Sequence, residues 1–481
     1  MSSFNKSILF ATIWSVFGQL GAMIITLVTN VILARVLTPV EFGQLGIIMF
    51  FIVLANVFTE GGLAGALVRK ENITNDDYST VFVFNLLVSI SCFIVMVIIA
   101  GPISRFYKDV SLQNVLVISS IVLIINAFQI TQIARLMREM KYKKISLYRL
   151  VAVFFSSLIG IFLVFKGAGI WSLVIIQILT AVFTTALLWI YEGAFFKLSF
   201  NKESFKQLYK FGVNTTLASL LDTAYDNVYQ LVIGRFFSIN QVGLYYQAKK
   251  LQEVPISVIK TTTLGVVFSS LSEIQNDKIL FTKTYNKITL YFTIAMGFLT
   301  VLLFVLSENV ILVIYGVKWI NSAFYIKLLS IASFFFMQEM FNRVLFKVFN
   351  QTHKILYLEI AKKSIQSLGI LIGIIKMDIE ILLYGFIISN IISYLINFYY
   401  SRKVLGSVEW YEIVVLAKVV GVSVISVFAT SYIIQLLGVE IRYVFTMLPF
   451  LTILYFTLIQ IFGITNLATE YKSIILLIKK R

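Results

Sequence analysis

One cysteine and one histidine are all the thiol and imidazole that 481 residues offer. Cys92 falls inside an apolar run with no second cysteine for an internal disulfide. His353 lies in a basic joint between runs, where a solvated loop histidine is the ordinary reading, so no metal site is expected. Equally missing are a Gly-rich phosphate loop followed by Lys-Ser or Lys-Thr, an HExxH pair and a nucleophile elbow. No catalytic residue is assigned, and the chain is expected to be neither an enzyme nor driven by its own nucleotide hydrolysis. Charge is scarce as well: Asp, Glu, Lys and Arg make up 13% of the chain, against about a quarter in soluble domains. Apolar residues reach 59%, so water cannot be the main solvent.

What the chain does have is long apolar runs. Spanning the hydrocarbon layer takes ~20 apolar helical residues, and Val81 to Ala100, Val115 to Ile133, Ile145 to Phe165 and Ile288 to Leu306 all meet that length. About fourteen such runs consume the chain. They lack the two-residue alternation of a barrel, and a helix satisfies its own backbone groups in lipid. The expected fold is all-α and integral to the membrane. The net charge of +17 does not point to nucleic acid, because the basic residues gather in alternate joints rather than on one solvated face. The rich joints include LMREMKYKKISLYR and the terminal Lys479, Lys480 and Arg481. Both termini are therefore expected in the cytoplasm, with MSSFNKSILFATIWSVFGQL as an uncleaved first span.

The segment VILARVLTPVEFGQLG recurs 200 positions later as LVIGRFFSINQVGLYY, pairing Arg35 with Arg235 and Gly43 with Gly243. Both copies end an odd-numbered span with six spans between them, which makes a parallel repeat about an axis along the membrane normal. The expected organisation is a six-helix lobe at 1–196, an amphipathic cytoplasmic linker at 197–210, a second six-helix lobe at 211–403, and an extra helix pair with a basic cytoplasmic tail at 404–481. The seventh span is placed at 211–237, the eleventh at 354–376, and the tail from Ala468 is expected along the membrane surface.

Several segments resemble the polysaccharide transporter branch of the multidrug/oligosaccharidyl-lipid/polysaccharide flippase superfamily, the Wzx-like lipid-linked oligosaccharide flippases. ILARVLTPVEFGQLG is similar to that family's first joint, and GGLAGALVRKENITNDDYSTVFVFNLL to its second span and following joint. REMKYKK, GAGIWSLV, IGRFFSINQVGLYYQAKKLQEVP and IYGVKWINSAFYIKLLSI extend the likeness over the first twelve spans. One departure is Tyr229, where the family often carries an acid; Asp226 stands one turn earlier. The resemblance implies two lobes, a cavity lined by helices one, two, seven and eight, and alternating access. It implies as substrate an oligosaccharide linked through pyrophosphate to undecaprenol, moved from the cytoplasmic to the periplasmic leaflet of the bacterial inner membrane for surface polysaccharide synthesis. Expected partners are this lipid-linked oligosaccharide, membrane lipid, and the polymerase and chain-length machinery that use the product, with no nucleic acid.

An ionisable group deep in a span costs ~2.5–3.5 kcal/mol on insertion scales and is a functional candidate by default. Glu60 lies in the second span, nine residues before Arg69, or ~13 Å in from the cytoplasmic end at ~1.5 Å per helical residue. Asp222 and Asp226 share a face of the seventh span and Lys260 stands in the eighth. Arg35, Arg235 and Lys260 are expected to draw the pyrophosphate across, an arginine fork matching phosphate oxygens. Glu60, Asp222 and Asp226 are expected to bind sugar hydroxyls or a coupling Na+ or H+; no other cofactor is expected. Glu339 and Arg343 are spaced i, i+4 to neutralise each other and form a secondary candidate, while Glu359 with Lys363 reads as a solvated face. Gly61 and Gly65 read as a close helix-packing step. The alternative function is a cation-coupled small-molecule antiporter of the multidrug type, whose cavity carries fewer cations.

Overall fold

The computed structural model describes residues 3–193, 198–405, 410–438 and 440–466. The predicted surface tail from Ala468 lies outside them, as do Lys479, Lys480 and Arg481. Among the described residues there is no strand, and 12 helices are long and apolar enough to cross a membrane. The chain divides into two units, Met1–Tyr246 and Gln247–Arg481.

The first unit holds α1 (Ser3–Val36), α2 (Pro39–Glu60), the short α3 (Leu63–Arg69), α4 (Asn75–Tyr107), α5 (Ser111–Arg138), α6 (Tyr142–Phe165), α7 (Ile170–Glu192), α8 (Lys202–Phe236) and the first turns of α9 (Ile239–Glu273). Its joints are written in local chemistry. Thr38 caps α2 reciprocally with Glu41, its backbone N–H donating to the Glu41 carboxylate at 2.7 Å, and Pro39 takes the first turn, where a missing N–H costs nothing. Thr74 and Asp77 repeat the device at α4. α4 packs on α5, α1 on α6, and α2 on α8.

The distribution of side chains is that of a helix bundle in lipid. Leu87, Ile98, Phe162 and Ile190 are exposed, whereas Asn85, Ser89, Thr131 and Gln132 are buried. Helices in hydrocarbon gain nothing by hiding Leu from equally apolar lipid tails, so small and polar residues turn inward instead. Ser146 shows how: it donates to the Trp14 carbonyl at 2.8 Å, and a Cβ at Gly18 would stand only 2.3 Å from its Oγ, so α1 and α6 meet where one side chain is absent.

The repeated glycines meet each other. A Cβ on Gly43 would fall 1.9 Å from the Ile239 carbonyl oxygen, and one on Gly243 would fall 1.8 Å from that of Pro39. Positions 39 and 43 correspond to 239 and 243 under the same offset of 200, so the contact is reciprocal, as across a local two-fold. Both α2 and α9 begin there.

The second unit contains the remainder of α9, then α10 (Lys278–Val305), α11 (Ser307–Ile314), α12 (Ser322–Val348), α13 (His353–Lys376), α14 (Ile379–Leu405), α15 (Tyr411–Leu436) and α16 (Leu448–Ile461). α12 packs on α14, α14 on α13, and α10 on α15. Gly369 and Gly385 let α13 and α14 touch backbone to backbone: a Cβ on Gly385 would stand 2.9 Å from the Gly369 Cα. One apolar core joins Tyr285, Phe292, Phe341, Val419 and Tyr455, so the extra helix pair α15 and α16 packs into this unit.

About fourteen spans were expected, and two helices account for the difference. α8 and α13 have 35 and 24 residues, enough to cross, but stand outside the 12 that are also apolar enough. α8 carries Asp222 and Asp226 among Asn, Thr and Ser; α13 carries Lys354, Glu359, Lys362 and Lys363. The expected linker sequence from Lys202 onward continues without interruption into α8.

Candidate functional site

The second span is discontinuous. α2 ends at Glu60, Gly61 (φ 54°) donates back to the Val57 carbonyl at 3.2 Å, Gly62 (φ 63°) follows, and α3 starts at Leu63. Both conformations belong to the left-handed region that glycine enters without a Cβ penalty. The continuous helix from which the depth of Glu60 was reckoned is therefore broken at that residue, and Gly61 acts as a terminator rather than as half of a packing step with Gly65. Broken helices inside a membrane recur where transporters place their sites, because the interrupted backbone needs partners from a wet cavity or from protein. Here α8 comes up against the break: a Cβ on Gly212 would stand 2.6 Å from the Gly61 carbonyl oxygen.

α8 carries the other acids. Counting from Gly212, Asp222 lies roughly 15 Å along the helix and Asp226 one turn further, at ~1.5 Å per residue. Still further on, Gly234 fits against Tyr107 of α4 and Ile47 of α2, where a Cβ would meet them at 3.0 and 3.1 Å. The α2–α8 seam is thus fixed at Gly61–Gly212 and at Ile47–Gly234, with Asp222 and Asp226 between the two fixed points, both exposed, and Glu60 exposed at the first. Glu60 and the two aspartates are held in one unit but at different depths.

Arg35 and Arg235 each close the last turn of their helix and are exposed. Arg235 Nη1 donates to the Phe106 carbonyl at 2.9 Å, and its guanidinium lies 4.5 Å from the centre of the Phe106 ring. A guanidinium has five donors, so this contact orients the group while leaving capacity for an anion. Lys260, in the second unit, is exposed on α9 and stands 5.8 Å from the Phe336 ring centre.

The secondary candidates sit in a buried ion network. Glu339 is 0% exposed and receives Arg343 on one oxygen and Lys362 on the other, the latter at 2.8 Å. Arg343 also reaches Glu359, which Lys363 approaches at 3.9 Å. Glu359 is therefore no solvated face: it is partly buried and ties α13 to α12. A second cluster surrounds Glu412 of α15, which accepts from Arg402, from Asn342 at 2.6 Å, from Tyr394 at 3.0 Å and from Tyr285 at 3.3 Å. Sequence reasoning missed it. The one available signal was an acid opening a span whose other charged residue is Lys418, since the partners come from three other helices. Glu339 and Glu412 are filled by protein donors, which makes both clusters fastenings between helices rather than surfaces offered to a substrate.

Residues 32–324 match a family described as polysaccharide biosynthesis protein. The chain is similar to the succinoglycan biosynthesis transport protein ExoT of Rhizobium meliloti (strain 1021), 22% identical over 306 residues, covering 64% of this chain and 62% of that one. It is also similar to the lipopolysaccharide biosynthesis protein WzxC of Escherichia coli (strain K12), 22% identical over 317 residues, 64% of this chain and 63% of that protein. The matched part thus spans less than two thirds of either relative. Among solved structures, the fold is similar to the lipid II flippase MurJ in an inward closed conformation, with TM-score 0.71, 16% identity, and coverage of 94% of this chain and 98% of that one. An inward-facing multidrug resistance MATE family transporter of the MOP superfamily gives TM-score 0.64 at 14% identity, covering 80% and 94%.

Proposed function

Since the chain belongs to the polysaccharide biosynthesis protein family, we propose that it is a transporter that moves undecaprenyl-pyrophosphate-linked oligosaccharide from the cytoplasmic to the periplasmic leaflet of the bacterial inner membrane, by alternating access, with both termini cytoplasmic. The observation that carries this reading is a coincidence of places. Arg35, Glu60, Asp222, Asp226, Arg235 and Lys260 all fall within the matched residues 32–324. They lie on α1, α2, α8 and α9, the helices that carry the expected first, second, seventh and eighth spans.

The chemistry follows from what must cross. A pyrophosphate cannot enter hydrocarbon alone, so Arg35, Arg235 and Lys260 supply its counter-charge, the arginines through paired donors. The headgroup sugars are rich in hydroxyls, and the carboxylates of Glu60, Asp222 and Asp226 accept from them or hold a coupling Na+ or H+. Proximity of Asp222 and Asp226 favours a shared proton or bound cation, because two anions one turn apart repel. An inside-negative potential helps directly: each negative charge moved outward gains ~2.3 kcal/mol per 100 mV, so a dianionic headgroup gains roughly 4–5 kcal/mol.

Loss of the gene is expected to leave lipid-linked repeat units on the cytoplasmic side and to deplete surface glycan. Drug sensitivity with normal surface glycan would instead favour the small-molecule antiporter, the reading that the MATE-like fold keeps in view. Within the protein, Arg235→Ala and Lys260→Ala are each expected to abolish glycan export at unchanged membrane protein level; export retained by both variants removes the cationic part of the mechanism.

A further inference from the structure

Arg235 stands at the rim of an open apolar groove that the transport reading leaves unassigned. The groove has a volume of about 470 Å³ and lies within the first unit, lined by residues of α2, α4 and α8. Ile103 and Phe106 of α4, Val228 and Val232 of α8 and Phe51 of α2 line it, and among the described residues Arg235 is the one charged group in the lining. Within it α4 and α8 are tied together, the Tyr107 hydroxyl donating to the Leu231 carbonyl at 3.4 Å. Phe106 is 51% exposed, so the groove is open from outside the protein. At this size it falls within the ~300–1,000 Å³ of ordinary small-ligand sites.

We infer that this groove receives the hydrocarbon tail of a polyprenyl phosphate whose phosphate oxygens sit on Arg235. The inference rests on the proposal that Arg235 meets the pyrophosphate, and it adds where the chain attached to that pyrophosphate goes. A tail bonded to a phosphate on Arg235 must leave within a few bonds of the guanidinium, and the groove begins there. Two physical facts decide what can select the occupant. Inside a bilayer a hydrocarbon chain gains nothing from leaving water, so the groove holds a chain by packing against its branched and aromatic walls. The phosphate contact then distinguishes a phosphate-headed chain from a neutral one, and the Phe106 carbonyl and ring keep the guanidinium aimed at the rim. Both α4 and α8 end here, Tyr107 and Phe236 being their last residues, which puts the headgroup at the membrane boundary and the tail in hydrocarbon.

The test uses the full chain in lipid nanodiscs and a polyprenyl phosphate bearing a photoreactive diazirine on its tail. Irradiation is expected to label peptides containing Ile103–Phe106 and Val228–Val232. Excess unlabelled polyprenyl phosphate should compete, and phosphatidylglycerol at the same excess should not. Val232→Trp, which fills the groove, should reduce labelling at least tenfold while Val232→Leu keeps it; if the Trp variant loses its thermal transition, Val228→Trp is read in its place. Labelling elsewhere, labelling unchanged in a folded Trp variant, or equal competition by phosphatidylglycerol overturns the inference, the last marking ordinary boundary lipid. Labelling as expected with no transbilayer movement of lipid-linked glycan sinks the transport reading and leaves the groove standing; movement without labelling of the groove does the reverse.

Discussion

At the scale of single residues, two glycines and two aspartates make the sharpest claims. A side chain on Gly43 or Gly243 must displace a backbone carbonyl, which cannot swing aside as a flexible side chain would. Gly43→Val or Gly243→Val is therefore expected to cost about 1–3 kcal/mol or more by overpacking, read as a lowered melting temperature of the purified protein; an unchanged transition would mean that the helix ends part freely. Asp222→Asn and Asp226→Asn are expected to alter the dependence of export on Na+ or on pH, and an identical dependence in both would leave the aspartates structural. The repeat that pairs Gly43 with Gly243 was readable from the sequence, because sterically strict positions retain their residue type. That the two would touch was not, since nothing local records a contact 200 residues away. Glu339 with Arg343 was legible for the opposite reason, as i, i+4 neighbours must face each other on a helix.

At the scale of elements, polarity explains both what was legible and what was not. Apolar length located the spans well, but α8 and α13 depart from the pattern because they carry ionisable residues, on α8 the candidate aspartates and on α13 the partners of α12. The break at Gly61–Gly62 was hidden, because a pair of glycines at membrane depth reads equally as packing or as interruption. Glu412 was hidden too: its donors lie 10, 18, 70 and 127 residues away. Removing one partner of a buried ion pair costs about 3–5 kcal/mol, whereas replacing both by apolar groups is often neutral. Arg402→Met or Glu412→Leu alone is thus expected to lower the amount of folded protein sharply, and the double variant to recover most of it, as followed by fluorescence-detected size exclusion. Additive losses would show that α15 is not fastened to α14 through this pair.

At the scale of the whole molecule, scarce charge, an absent catalytic vocabulary and long apolar runs were enough for an all-α membrane fold, and that fold is what the MurJ and MATE likenesses share. Function is less evenly written. The family match reaches over residues 32–324, the stretch with the candidate acids and the helix-terminal arginines, while the sugar unit leaves no trace, because hydroxyls can be met by many side chains. A headgroup carrying two negative charges makes export sensitive to the membrane potential, so collapsing the potential at constant pH is expected to slow it; a rate indifferent to potential would assign the driving force to an ion gradient or to consumption of product. The central claim is that this chain by itself carries a lipid-linked oligosaccharide across the bilayer along its cationic positions. The most direct measurement reconstitutes the purified protein into sealed liposomes with a fluorescent undecaprenyl-pyrophosphate oligosaccharide and follows headgroup protection from an external quencher. Exchange between leaflets that the protein accelerates and that Arg235→Ala with Lys260→Ala abolishes is the expected result; no acceleration by the wild-type chain, or full acceleration by the double variant, would contradict it.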